Sequence, residues 1–163
     1  MENEVFVFDY DFPRKRLLEE WNEVHAANSE GYTDKRYNGI AEWWRVTRLT
    51  SHEYANIICE ALGGVVGKPR FYLLEKNATL PFHVDLGTQC SINLILGEGD
   101  GAPVKFKDTG NEYTYKSALL NTSLTHGVEN KGDDRILFKI SFMDNSFEDI
   151  KERIEKNLLT TPN

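Results

Sequence analysis

Hydrophobic and polar residues alternate over residues 4–10 (EVFVFDY), which predicts a strand, and Pro13 stops the pattern. The period then changes. Over residues 15–27, Leu17, Leu18, Trp21 and Val24 recur at helical spacing with charges on the other face. Residues 40–49 (IAEWWRVTRL) lean towards β structure. Ser51 follows as an expected N-cap for a helix to Leu62 that Gly63 and Gly64 end. From Lys68 onward period two takes over. Strand-like runs fall at residues 70–75, 80–85, 89–96, 102–107, 112–116, 118–121, 125–129 and 135–142. Turn residues separate them, among them Asn77, Gly87 and the stretches 97–101, 108–111 and 131–134. Short strands at this spacing predict a mainly β sandwich or jelly roll. A last amphipathic helix over residues 147–159 has Ile150, Ile154 and Leu158 on one stripe. The expected organisation is one domain, 1–163. It divides into a mixed N-terminal region (1–67), a strand-rich core (68–143) and a C-terminal helix (144–163).

Composition narrows the function classes. The 163 residues suit one domain, and 40% hydrophobic with 12% aromatic residues exclude a disordered chain. A net charge of −7 argues against tracking a nucleic-acid backbone. The basic cluster Arg14-Lys15-Arg16 is small, and Glu19 and Glu20 follow it on the same helix. No apolar run approaches the ~20 residues of a membrane span. Glu2 and Glu4 stand where a secretory leader would carry Lys or Arg. The two cysteines, Cys59 and Cys90, are too few for a disulfide scaffold or a thiolate zinc site. The expectation is a cytoplasmic protein of a reducing compartment, without nucleic-acid or membrane partners. On that reading the sequons at Asn77 and Asn121 carry no meaning.

Chemistry concentrates in the strand-rich part. In His83-Val84-Asp85, residues two apart on a strand share a face, so an imidazole nitrogen and a carboxylate oxygen can converge on one ion. His126 is the other histidine of this region, 43 residues on. Two imidazoles and one carboxylate make the facial triad of non-haem Fe(II) oxygenases, with positions left open for substrates. Arg135 opens the last strand, nine residues after His126. Ile136, Phe138, Ile140 and Phe142 form the apolar face of that strand, against Arg135, Leu137, Lys139 and Ser141. A guanidinium at the head of a buried strand suits a bidentate grip on a carboxylate. Gln89, Ser91 and Asn93 likewise begin a polar face opposite Cys90, Ile92, Leu94 and Leu96.

Taken together, PFHVD, the strand QCSINLIL, then NTSLTHGVEN and DRILFKISF resemble the double-stranded β-helix core of 2-oxoglutarate/Fe(II)-dependent dioxygenases. The chain is most similar to their aspartyl/asparaginyl β-hydroxylase and proline-hydroxylase-like branch, over residues 68–143. The lead-in RFYLLEKNATLPFHVD contributes to the likeness. The resemblance implies His83, Asp85 and His126 as iron ligands and Arg135 as the clamp on the far carboxylate of 2-oxoglutarate. It implies Fe(II), 2-oxoglutarate and O2 as cofactor and cosubstrates, with release of succinate and CO2. It also implies a small-molecule or peptide substrate, an amino acid free or within a chain. Tyr72 is a candidate hydroxyl donor to 2-oxoglutarate, and Asn93 and Ser91 are candidate cavity residues.

Each residue has a plainer reading. His83 and Asp85 suit an exposed strand pair, Arg135 a surface pair with Asp133 or Asp134, and Tyr72 the core. Lys139, on the face of Arg135, is the rival clamp, or a solvated or structural lysine. Gln89, Ser91 and Asn93 suit a solvent face. Adjacent Trp43 and Trp44 point opposite ways on a strand, one of them into the core. His25 and His52 read as surface residues, and Cys90 as core. The competing function is a cupin-like metal-binding or sensor module without oxygenase activity. Asp85→Ala is expected to remove metal-dependent turnover and leave the fold intact.

Overall fold

The computed structural model describes residues 3–27, 31–33, 41–45, 49–98 and 101–159. Within them the elements run β1 (Val5–Val7), α1 (Arg14–Ala27), β2 (Gly31–Thr33), β3 (Ala41–Arg45), α2 (Leu49–Ala61), β4 (Lys68–Leu74) and β5 (Thr79–His83). Next come β6 (Cys90–Ile95), β7 (Val104–Phe106), β8 (Glu112–Tyr113), β9 (Ser117–Leu120), β10 (His126–Glu129), β11 (Arg135–Phe142) and α3 (Phe147–Asn157). All eight strands expected between residues 68 and 143 form.

Two antiparallel sheets face each other. The larger has strand order β1-β9-β6-β11-β4-β3-β2, and the smaller β5-β10-β7-β8. Period two in β11 gives each face its own job. Phe138, Ile140 and Phe142 turn outward and are fully buried under the helices. Leu17 and Trp21 of α1, Ile58 of α2, and Phe147, Ile150 and Ile154 of α3 complete that cluster. Burying each such side chain contributes roughly 1.5–3 kcal/mol. The opposite face of β11 turns towards the smaller sheet. There Leu137 joins Leu74, Ile95, Val104, Leu120 and Val128 in a second, thinner core. The helices thus stiffen one face of the large sheet and leave the other for the inter-sheet space.

Ends follow local chemistry. Ser146 caps α3 by accepting from the Asp149 amide, and the acids Glu148 and Asp149 sit in the first turn, where the helix dipole favours them. Gly63 and Gly64 end α2 with φ of 95° and 81°, a conformation that costs glycine little.

Ser51 departs from the sequence expectation. It lies inside α2, which starts by Leu49, and its hydroxyl donates to Glu20 of α1. The serine ties two helices together instead of capping one. Strand β2 was not expected from the pattern. The register pairs Trp43 with Tyr72 and Trp44 with Phe71. The two tryptophan side chains lie outside the described residues.

Candidate metal centre

Strands β5 and β10 pair antiparallel with His83 opposite His126, which brings the two imidazoles to 4.5 Å between ring centroids. Sequence explains how. β5 is an edge strand, so Pro81, which has no N–H, is tolerated in it. Gly127 lets β5 close in. A Cβ at this position would stand 2.8 Å from the Leu80 carbonyl oxygen and 3.2 Å from the Phe82 amide nitrogen. Asp85 corrects one detail of the sequence reading, because β5 ends at His83 and the aspartate lies in the following turn. There its amide donates to the Thr122 carbonyl, and Gly87 turns the chain at φ 77°. The carboxylate reaches the histidines from the loop and not from the strand face.

His83 Nε2 is 3.1 Å and His126 Nε2 3.6 Å from Asp85 Oδ1. One donor atom from each of the three residues lies within 4.8 Å of the others. Each imidazole has its other nitrogen committed. His83 Nδ1 lies 2.7 Å from the Pro81 carbonyl and His126 Nδ1 2.7 Å from that of Leu124. A carbonyl only accepts, so both Nδ1 atoms carry hydrogen, and each ring turns its Nε2 towards Asp85. Backbone carbonyls that fix the tautomer in this way are what metal-binding histidines use. Two imidazole nitrogens and a carboxylate oxygen thus converge on a point that a proton or a metal ion can occupy. The donor set fits a divalent transition metal.

The fourth member was the rival clamp of the sequence reading. Lys139 Nζ lies 2.7 Å from Asp85 Oδ2, with both side chains largely buried (13% and 17% exposed) and the ammonium 4.9 Å above the Tyr72 ring. Oδ2 is thereby occupied and Oδ1 left to face the imidazoles. Burial would raise the Asp85 pKa, but the Lys139 charge and the His83 contact hold it well below the usual carboxylate range. Burial would lower that of Lys139, but the charge of Asp85 raises it on balance. Burial pushes His126 down to about 4, against the pull of Asp85, which favours neutral imidazole at neutral pH.

A cavity of about 240 Å³ opens between the sheets and is lined by all three residues. Arg135 lines its inner end and is only 8% exposed. It pairs with neither Asp133 nor Asp134. Its Nη2 donates to the Tyr115 hydroxyl at 2.9 Å and its Nε to the Ala102 carbonyl at 3.4 Å. No carboxylate among the described residues meets it. Asn93 lines the cavity and also donates to Tyr115, at 3.0 Å. The Tyr115 hydroxyl accepts from both and still has its own proton to give. Ser91 stands behind, donating to Asn93 Oδ1 at 2.9 Å. Tyr72 lines the cavity, whereas Gln89 is exposed and donates to the Met143 carbonyl. His25 and His52 are exposed. Cys90 is fully buried, its thiol pushed up to about 12 by burial and by Asp149 and Glu148, so it is no nucleophile. Sequence reasoning missed Tyr115, which sits between β8 and β9 with no local mark distinguishing it from the neighbouring Tyr113.

No protein-family model matches the sequence, and no curated protein matches it. Solved structures do. A Pseudomonas putida prolyl-4-hydroxylase superposes with a TM-score of 0.68 at 18% identity, over 88% of this chain and 94% of that one. HygX from Streptomyces hygroscopicus, with nickel and 2-oxoglutarate bound, gives 0.63 at 11% identity, over 89% and 85%. SnoN, a non-heme alpha ketoglutarate dependent epimerase from nogalamycin biosynthesis, gives 0.62 at 14%, over 88% and 80%. At these identities the likeness is one of architecture: the chain has the double-stranded β-helix fold.

Proposed function

We propose that the chain is an Fe(II)- and 2-oxoglutarate-dependent dioxygenase that hydroxylates an amino acid, free or within a peptide. The observation that carries this reading is the pairing of two features in one cavity. The Nε2 atoms of His83 and His126 meet Asp85 Oδ1 at one end. A buried guanidinium with only neutral partners waits at the other. In this reading His83, Asp85 and His126 hold the iron. Arg135 grips the far carboxylate of 2-oxoglutarate through its fork, with the Tyr115 proton as a second donor. Tyr72 and Asn93 line the space between, and Ser91 fixes the Asn93 amide. Leu80, Val104, Val128 and Leu137 wall the cavity and keep water from the reacting groups. Bound Fe(II) would supply O2 activation coupled to decarboxylation of 2-oxoglutarate to succinate and CO2.

A metal-binding module without oxygenase activity needs the triad but not Arg135. Burying an arginine without a counter-ion costs stability, which a ligand carboxylate would repay. HygX was solved with 2-oxoglutarate, and the Pseudomonas putida protein is a prolyl-4-hydroxylase; both agree with this assignment. The test is succinate release dependent on added Fe(II) and 2-oxoglutarate. It is expected in the native chain and lost in His83→Ala. Metal binding without any 2-oxoglutarate binding would favour the sensor module instead. We further assign the protein to the cytoplasm; among the described residues no helix is long and apolar enough to cross a membrane.

A further inference from the structure

We propose that Lys139 is a positioning residue for the metal: its ammonium holds Asp85 to the ion by Oδ1 alone and so keeps a coordination position open for substrate. The inference rests on the oxygenase reading and deepens it, since it concerns the same site.

Asp85 has freedom that its own surroundings in the chain do not remove. Its backbone is fixed, because the amide donates to the Thr122 carbonyl at 3.1 Å and the carbonyl accepts from the Thr88 amide at 3.1 Å. The carboxylate is another matter. Its rotation about the last side-chain bond is broad, and its two oxygens are equivalent. It also stands in the turn after β5, beyond the strand that orients His83. A carboxylate placed in this way can offer a divalent cation one oxygen or both, and proteins use both modes.

Lys139 removes that choice. Its Nζ lies 2.7 Å from Oδ2, while Oδ1 faces His83 Nε2 at 3.1 Å and His126 Nε2 at 3.6 Å. The two oxygens therefore have different partners. The lysine is itself held in place. It belongs to β11, an interior strand paired on both sides, and its register partner on β6 is Asn93. Its ammonium lies 4.9 Å from the centre of the Tyr72 ring, and among the described residues Oδ2 of Asp85 is the one acceptor of its hydrogens. A charge-assisted hydrogen bond between largely buried groups is short and strong. Turning Oδ2 towards an ion would break it and strand the ammonium.

The count of open positions follows. Two imidazoles and a carboxylate bound through one oxygen leave about three of six octahedral positions free, and a second carboxylate oxygen would close one of them. The reading proposed above asks the ion to accept both 2-oxoglutarate and O2, so a closed position bears directly on turnover. A lysine that only filled space, or that clamped 2-oxoglutarate, would leave the binding mode of Asp85 unchanged when no cosubstrate is present.

The test uses the full chain loaded with Mn(II) alone, with the waters on the ion counted from the broadening of its electron paramagnetic resonance lines in water enriched in the magnetic oxygen isotope. The native chain should hold about three waters, and Lys139→Met about two. Mn(II) affinity should tighten about threefold or more in that variant, because the freed oxygen joins the ion and a neighbouring positive charge is gone. Lys139→Gln, whose amide stops one bond short of the Nζ position, is a polar second variant and should behave likewise. Equal counts in native and variant chains, about two waters on the native ion, or weaker Mn(II) binding by a folded variant overturns the inference. The native count needs no variant and decides alone if neither variant folds. Binding of Mn(II), and then of 2-oxoglutarate, to the native chain is measured first. Absence of either defeats the oxygenase reading and this inference with it, whereas both present with equal water counts defeats the inference alone.

Discussion

Replacing Asp85 by alanine should unfold more than a metal site, against the expectation drawn from the sequence. The carboxylate is the ion-pair partner of Lys139 at 2.7 Å, and neither side chain is more than 17% exposed. At an effective dielectric of 20 the direct attraction is about 6 kcal/mol, most of it offset by desolvation. Truncating Asp85 removes the attraction and leaves the desolvation of the ammonium in place. Breaking a buried pair in this way costs about 3–5 kcal/mol. Lys139 has a flexible stem and lines a cavity open to solvent, so the lower end, about 3 kcal/mol, is the appropriate figure. For a domain of this size that is a fall in Tm of roughly 6–12 °C. Asp85→Ala/Lys139→Met removes the stranded charge as well and should recover all but about 1 kcal/mol. Urea and thermal unfolding at pH 7 with excess chelator would measure this without any contribution from bound metal. Asp85→Ala within about 0.5 kcal/mol of the native chain, or a double variant no more stable than the single one, would refute the reasoning.

Other perturbations separate the parts of the site. Arg135→Met should leave the ligand-free protein as stable as before, or up to about 4 kcal/mol more stable, while weakening 2-oxoglutarate binding at least tenfold in calorimetry. Loss of stability with unchanged 2-oxoglutarate affinity would mean that Arg135 is a structural residue. Gly127→Ala drives a Cβ against β5 backbone atoms at 2.8 and 3.2 Å, so β5 must shift, at about 1–3 kcal/mol, and Mn(II) affinity should fall as His83 moves from His126. For pH, His126 is held to about 4 against an ordinary 6.5, so between those values the unfolded chain binds the extra proton. Stability of the metal-free protein should therefore drop as pH falls from about 6.5 to 4, by about 3 kcal/mol from this group, and the slope should flatten in His126→Gln.

The strands were legible because each carries its evidence locally. Period two writes both faces of β11 into eight consecutive residues, and the turns between strands are spelled in Gly, Asn and Asp. The cluster of His83, Asp85 and His126 was legible for a related reason, since His83 and Asp85 are two residues apart and His126 is the other histidine of the strand-rich region. What escaped depends on register between distant segments. Lys139 meets Asp85 across 54 residues, and Tyr115 meets Arg135 across 20. No window of sequence holds both partners, so a lysine on a polar strand face reads as solvated or structural, and its partner is not named until the strands are set in register. Ser51 fails the same way. Its cap-like position before a helical run is a local cue, but a glutamate 31 residues earlier wins its hydroxyl. Asp85 is the intermediate case, with the right neighbour inferred from a strand geometry that ends two residues too soon.

Lys139 and Arg135 sit four residues apart on one strand face, and the fold treats them in opposite ways. Lys139 is neutralised by a carboxylate of the chain itself, so its charge has a counter-ion within the fold. Arg135 is buried on a hydroxyl and a carbonyl, partners that satisfy its hydrogens and not its charge. Nothing in the packing requires a cation at that position, because Leu74, Ile95 and Leu137 around it would accept an apolar side chain. A buried charge that its own neighbours leave unneutralised is completed by an anionic ligand, and under the function proposed above that ligand is an anion long enough to reach from the His83, Asp85 and His126 cluster to the guanidinium.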